Sequence, residues 1–395
     1  MSLANGLSYL AIPGPSVIPD RVLRAMHRPA PNIYTGELHD LTHSLIPDLK
    51  AVARTDGNAT IYIANGHGLW EAALCNTCSR GDKVLVLSSG RFGIGWSEMA
   101  AGLHLDVELM HFGERSAFDF DQIETALRAD TGQKIRAVLM CHVDTSSSIR
   151  NDVRAVRDLL DAVGHGALLM VDCIASMGCD RYEMDAWGAD VTIAASQKGL
   201  MTPPGIGFAW FNDKADRWRE DADLASRYWD WRPRAKPEMY YQYFDGTAPT
   251  HHLYGLREAL DMIAEEGLEN VWTRHETLAR AIWAACEVWG QGGALRLNVA
   301  DPVHRSHAVT SVGMDSPDAD RLRHWCEFQA GLTLGIGLGR VPEDAWFRIG
   351  HMGHVNAHMI LGVIGTIDAG LKALDIAHGP GAVEAATRVI AGTVG

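Results

Sequence analysis

Lys198 follows the apolar run Val191–Ala195 almost at once, and Gly199, Pro203, Pro204, Gly205 and Gly207 crowd in behind it. An amine at the mouth of a buried strand, with no acid beside it in sequence, needs a reason. Asp172 poses the same problem earlier in the chain. It closes the run Ala167–Asp172, and a carboxylate that ends an apolar strand costs free energy unless something pairs with it. Each has an ordinary reading alone: a lysine snorkelling from a strand end, and an acid serving as a cap or salt-bridge partner. At the ends of neighbouring strands, however, both would stand on one edge of a sheet. An amine that can form an imine, and an acid that can keep a pyridine nitrogen protonated, are the pair that pyridoxal 5′-phosphate (PLP) requires. Lys198 is therefore expected to hold PLP as a Schiff base.

Other stretches carry weaker signals. The turn Asn65-Gly66-His67-Gly68 lies between an apolar strand and a helix. Its glycines let backbone approach a ligand, and a helix start offers free N–H groups to a phosphate. The turn matches neither a Walker A loop nor the dinucleotide fingerprint, and any strand-to-helix turn can carry glycines. Phe92 follows another strand end and either lies flat on a planar ring or packs in a helix–sheet core. Thr145, in the hydroxyl-rich turn after His142, either donates to a ring or phosphate oxygen or belongs to a cap of the helix starting near Asn151. Arg348 sits inside the short apolar strand Phe347–Gly350 and needs an anion. That anion is a substrate carboxylate held by the planar fork, or the acid of an interdomain salt bridge.

The elements that would position these groups alternate. Apolar runs at Thr60–Ala64, Lys83–Leu87, Asp106–His111, Ile135–His142, Ala167–Asp172, Asp190–Ala195 and Ile206–Phe211 read as buried strands of a mostly parallel seven-stranded sheet. Helical patterns at Gly68–Cys78, Phe92–Leu103, Asp121–Asp130 and Asn151–Val163 lie between them. This is an α/β sandwich, with ligands expected at the carboxyl ends of the strands. Before it, Asp20 is expected to cap a helix Arg21–His27, and a second helix covers Asp40–Ala53. After it come a polar helix Asp213–Ser226, an aromatic strip Tyr228–Phe244 without a clear period, and long helices Thr250–Glu266 and Leu268–Trp289. Short strands at Arg296–Val299, Ala308–Val312 and Phe347–Gly350, with helices Asp318–Ala330 and His354–Ala373, predict a smaller C-terminal α+β domain. The division expected is an N-terminal arm over 1–20, a large domain over 21–255 and a small one over 256–395.

Composition narrows the partners. The 395 residues are 47% hydrophobic and 21% charged, ordinary for a soluble globular chain. A net charge of −14 argues against nucleic acid or an anionic membrane as partner. No apolar run approaches the roughly 20 residues of a membrane span, and no signal peptide is evident, so a cytoplasmic location is expected. The seven cysteines are scattered, as reduced thiols would be. Cys75 and Cys78 lack a second ligand pair for zinc and read as core residues, and no metal is expected.

The set resembles the class V, fold-type I PLP-dependent aminotransferases, and among these the alanine–glyoxylate and serine–glyoxylate group. Pro13-Gly14-Pro15-Ser16, Gly66-His67-Gly68-Leu69-Trp70-Glu71, Asp172-Cys173-Ile174-Ala175-Ser176, Leu253–Glu258 and Arg348-Ile349-Gly350 carry the resemblance. The most specific part is Ser196-Gln197-Lys198 with Pro203-Pro204-Gly205. The resemblance implies that Lys198 links to PLP and then shuttles the substrate proton, and that Asp172 pairs with the pyridine nitrogen. It places Gly66, His67 and Gln197 around the phosphate with Thr247 of a second subunit, Phe92 on the ring, Thr145 against the cofactor, and Arg348 on the substrate carboxylate. Phe244 stands where the family often has a tyrosine, with Tyr243 beside it. A homodimer with shared active sites is implied, acting on a small amino acid such as alanine or serine and a 2-oxo acid such as glyoxylate or pyruvate. Ureidoglycine–glyoxylate, pyridoxamine–pyruvate and lyase or desulfurase activities share the framework. A desulfurase would need a mobile reactive cysteine, and Cys326 falls in an expected helix. A nicotinamide enzyme is disfavoured by the missing fingerprint and by the presence of both Asp172 and Lys198.

Overall fold

The computed structural model describes residues 2–393, so Met1 of the expected arm lies outside the described residues. Seven strands form the larger sheet, in the spatial order Asn58–Tyr62, Gly207–Phe211, Val191–Ala195, Leu168–Asp172, Ile135–Cys141, Lys83–Ser88, Asp106–His111. All run the same way except Gly207–Phe211, which is antiparallel to both neighbours. Alternate side chains of each strand feed the two faces. Leu85 and Leu87 join one apolar core with helices Glu37–Ala53, Phe120–Ala129, Val153–Ala162 and Thr250–Glu266. Val84 and Val86 join another with helices Gly66–Cys75 and Arg91–Gly102. A sheet covered on both faces explains why its inner strands read as continuous apolar runs.

A second sheet of five strands runs Tyr9–Ala11, Leu332–Ile336, Trp346–Gly350, Val309–Gly313, Arg296–Leu297. Its core takes Leu278, Ile282 and Trp289 from helix Leu268–Gly290, and Ile360, Ile364 and Ile367 from helix Ala357–Ala373. The N-terminal arm supplies the first of these strands, parallel to Leu332–Leu334. Gly267, with φ of 83°, turns the chain between helices Thr250–Glu266 and Leu268–Gly290.

Three expectations change. Asp20 is the first residue of its helix and does not cap it; Pro19 precedes it and no side chain caps. The polar helix stops at Trp218, with Arg219 as its C-cap, whose side chain pairs with Asp230. Strands Tyr9–Ala11 and Leu332–Ile336 and helix Ala382–Thr393 are additional elements.

Candidate active site

Asp172 and Lys198 come together because their strands are neighbours. Asp172 is in register with Ile193, and Lys198 follows three residues after that strand ends at Ala195. The loop that presents the lysine closes on itself. Thr202 donates its N–H to Ser196 O at 3.1 Å, Met201 donates to Lys198 O at 3.1 Å, and Ser196 Oγ donates to Pro203 O at 2.6 Å. The prolines thus brace the lysine from behind.

The arm closes the other side. Ser16 donates its N–H to Gln197 O at 2.8 Å and its hydroxyl to Lys198 O at 2.7 Å. Lys198 Nζ donates to the carbonyl of Pro13. Gly14 sits at φ of 92°, and a Cβ there would meet the lysine side chain. Residues 13–16 therefore pack against the lysine, a contact across more than 180 residues of chain that no local pattern announces.

A cavity of about 270 Å³ opens beside the lysine. Lys198, Asp172, Gly66, His67, Phe92, Thr145 and Gln197 all line it, together with Asn65, Trp70, Val143, Ile174 and Ala175. Helix Gly66–Cys75 begins here, and Asn65 caps it by accepting the N–H of Gly68 at 3.2 Å. Gly68 therefore holds the turn, whereas Gly66 and His67, the first helical residues, lack intrahelical partners for their N–H groups. A Cβ at Gly66 would meet the terminal methyl of Ile174, which would have to shift. The side-chain amide oxygen of Gln197, Oε1, is buried without a partner.

Electrostatics follow from burial. Asp172 accepts the backbone N–H of Ile174 and the indole N–H of Trp70, each at 2.7 Å. Burial pushes its carboxyl up to about 6, and these donors hold it down against that push. Lys198 is lowered to about 8, first by burial and then by the charge of Arg348. A neutral amine is thus within reach near physiological pH, as a proton-transferring base requires.

Arg348 stands just outside the lining residues. Its Nε donates to Ile336 O at 2.7 Å and its Nη1 to Thr145 O at 2.9 Å. Among the described residues it has no acidic partner, so the interdomain salt bridge is not formed. Burial lowers it to about 10.

Thr247 is elsewhere on this chain. It is exposed in a separate cavity of about 620 Å³, with Tyr34, His39, His43 and Tyr243. Tyr243 shares that cavity, while Phe244 is buried in the core. Cys326 is buried inside helix Asp318–Ala330 with its thiol pushed up to about 12, which leaves no reactive cysteine there. Cys75 and Cys78 are likewise buried.

Two residues without an expected role stand out. Trp70 donates to Asp172; a buried indole N–H usually finds an acceptor, and the unpaired Asp172 was one. Asp144 is fully buried and accepts four hydrogen bonds: from Phe92 N–H (2.8 Å), Gly93 N–H (3.2 Å), Ser146 N–H (3.0 Å) and Ser146 hydroxyl (2.6 Å). It ties the turn bearing Phe92 to the turn bearing Thr145.

These residues fit PLP. An amine and an acid share one small cavity, with free helix-start N–H groups and an aromatic ring on its walls. Comparison with known proteins agrees. A family model described as aminotransferase class-V matches residues 8–338. The serine–glyoxylate aminotransferase of Methylorubrum extorquens is 39% identical over 93% of this chain and 93% of its own. That of Arabidopsis thaliana is 34% identical over 97% of this chain and 95% of its own. The solved alanine–glyoxylate aminotransferase of Nostoc sp. superposes with a TM-score of 0.83 at 28% identity, covering 94% of this chain and 97% of that one. The chain belongs to the class-V aminotransferases, fold-type I enzymes that work with pyridoxal 5′-phosphate.

Proposed function

We propose that this aminotransferase moves the amino group of a small L-amino acid, serine or alanine, to glyoxylate. The observation that carries the reading is the single small cavity holding both Lys198 and Asp172, in a chain so similar to serine–glyoxylate aminotransferases. Lys198 would hold the cofactor covalently, Asp172 would meet its ring nitrogen, and Phe92 and Thr145 would lie against the ring. Gly66, His67 and Gln197 would surround the phosphate. When bound, PLP supplies the electron sink that makes the substrate's α-proton removable. Lys198, once freed, would be the base that takes that proton from the substrate α-carbon and delivers it to the cofactor's side of the imine nitrogen. Arg348 offers the carboxylate its remaining guanidinium edge and so orients the α-hydrogen.

A monocarboxylate donor suits the cavity, whose lining includes no arginine. Arg340, whose charge reaches Arg348, lies outside that lining and is held by Glu114 at 2.8 Å. A second copy of the chain would add its Thr247, and the aromatic cavity around Tyr34 and Tyr243 would be the face it meets. We place this homodimer in the cytoplasm; no helix among the described residues is long and apolar enough to cross a membrane.

The test is a screen of donors (serine, alanine, aspartate) against acceptors (glyoxylate, pyruvate), read as the change in cofactor absorbance. Turnover of serine or alanine with glyoxylate is expected. No spectral change with any small amino acid would refute the transaminase assignment of donor and acceptor.

A further inference from the structure

We propose that Trp70 is a positioning residue for Asp172, a role that rests on the reading of Asp172 as the acid facing the cofactor's ring nitrogen. Trp70 lies one turn into helix Gly66–Cys75 and is almost fully buried. Its indole Nε1 donates to Asp172 Oδ2 at 2.7 Å, while Ile174 N–H takes Oδ1 at 2.7 Å. Two nitrogen donors on two different elements fix the plane of the carboxylate, and the Cys141 thiol approaches Oδ2 at 3.8 Å. An ionised carboxylate accepts at about four sites, so lone pairs remain for the cavity that Trp70 and Asp172 both line.

The indole is itself held. It stacks on Trp96, with ring centroids 6.1 Å apart and planes within 13°. Its edge meets His67 at 4.5 Å and Phe92 at 6.3 Å. One side chain therefore touches the residue proposed near the phosphate, the residue proposed over the ring, and the acid proposed at the nitrogen. A phenylalanine would fill most of the same space. It would donate nothing and would leave a buried charged oxygen one donor short, the costly kind of loss. The N–H also opposes the upward push of burial on Asp172, so it favours the ionised acid that the nitrogen needs. The ordinary alternative, a core tryptophan that merely found an acceptor, predicts the same hydrogen bond but no selective loss of kcat.

The test has one arm without cofactor and one with it. In cofactor-free protein with ¹⁵N-labelled indoles, one of the 12 tryptophan N–H signals should shift with a midpoint near pH 6, the value to which Asp172 is raised. That signal should be lost in Trp70→Phe and insensitive to pH in Asp172→Asn. In the holoenzyme, Trp70→Phe should bind PLP within about threefold of wild type and keep KM within about threefold, but lose at least about tenfold in kcat. Indole signals indifferent to pH and to Asp172→Asn, or a Trp70→Phe enzyme of wild-type kcat, would overturn the positioning role and leave transamination standing. Wild-type protein that takes up no PLP is a different result: it removes the reading of the cavity, and the role with it.

Discussion

Arg348 Nη1 donates to the carbonyl of Thr145 at 2.9 Å, so a strand of the smaller sheet is tied to the cavity edge of the larger one. The same guanidinium gives Nε to Ile336. Its orientation is set by backbone before any substrate arrives, and orientation fixed in advance is what makes a bound carboxylate productive.

Replacing this arginine by lysine keeps the charge and removes the planar fork. Arg348→Lys is expected to raise KM for the amino donor at least tenfold (about 1.4 kcal/mol or more) with a smaller change in kcat. Steady-state kinetics with serine and alanine check it. An unchanged KM would remove Arg348 from substrate binding.

The charge of Arg348 also lowers the Lys198 amine. In cofactor-free protein, labelling of Lys198 by an amine reagent should rise with a midpoint near pH 8, the value to which the amine is lowered. Arg348→Gln removes the neighbouring cation and should move that midpoint upward. Peptide mass spectrometry across a pH series reads both.

Asp172 gives a stability test with a definite sign. Its folded value of about 6 lies above its ordinary 3.8. Its contribution is therefore fully present below about pH 4 and is lost as pH rises through about 6. By pH 8 the ionised, buried carboxylate destabilises cofactor-free protein by about 3 kcal/mol at most. Asp172→Asn should thus raise the Tm of cofactor-free protein at pH 8, with the gain shrinking toward pH 4. Thermal unfolding at several pH values decides; a gain that grew at low pH would contradict the burial account.

Gly14 has two reasons to be glycine. Its φ is 92°, and a Cβ would come within 2.5 Å of Lys198 Nζ and Cδ. Gly14→Ala is expected to cost about 1–3 kcal/mol of backbone strain and to impair uptake of cofactor by displacing the lysine. A PLP titration followed by absorbance, set beside the change in Tm, distinguishes a site effect from a general one.

Much of this is legible in the amino-acid sequence. The strand Asp106–His111 and the helices Thr250–Glu266 and Asp318–Ala330 were bounded correctly from pattern alone, because continuous apolar runs and helical periodicity report burial directly. Lys198 and Asp172 were legible because each is chemically out of place at the end of an apolar strand. The strand Leu332–Ile336 is not legible: Gly335 interrupts it, and its parallel partner is the three-residue strand Tyr9–Ala11 at the far end of the chain. The helix expected through Ser226 ends at Trp218, since a run of polar residues carries no burial pattern that marks where a helix stops. Trp70 and Asp144 were hidden by type. A tryptophan in an apolar helix reads as core, and an aspartate in a turn reads as a cap; only their hydrogen-bond partners set them apart.

The central claim is that Lys198 carries the cofactor. Purified protein should be supplied with PLP, treated with borohydride, digested, and its peptides weighed. The account predicts a PLP-derived mass on the peptide containing Lys198 and none in Lys198→Ala. Label confined to another lysine, or a protein that acquires none, would contradict it.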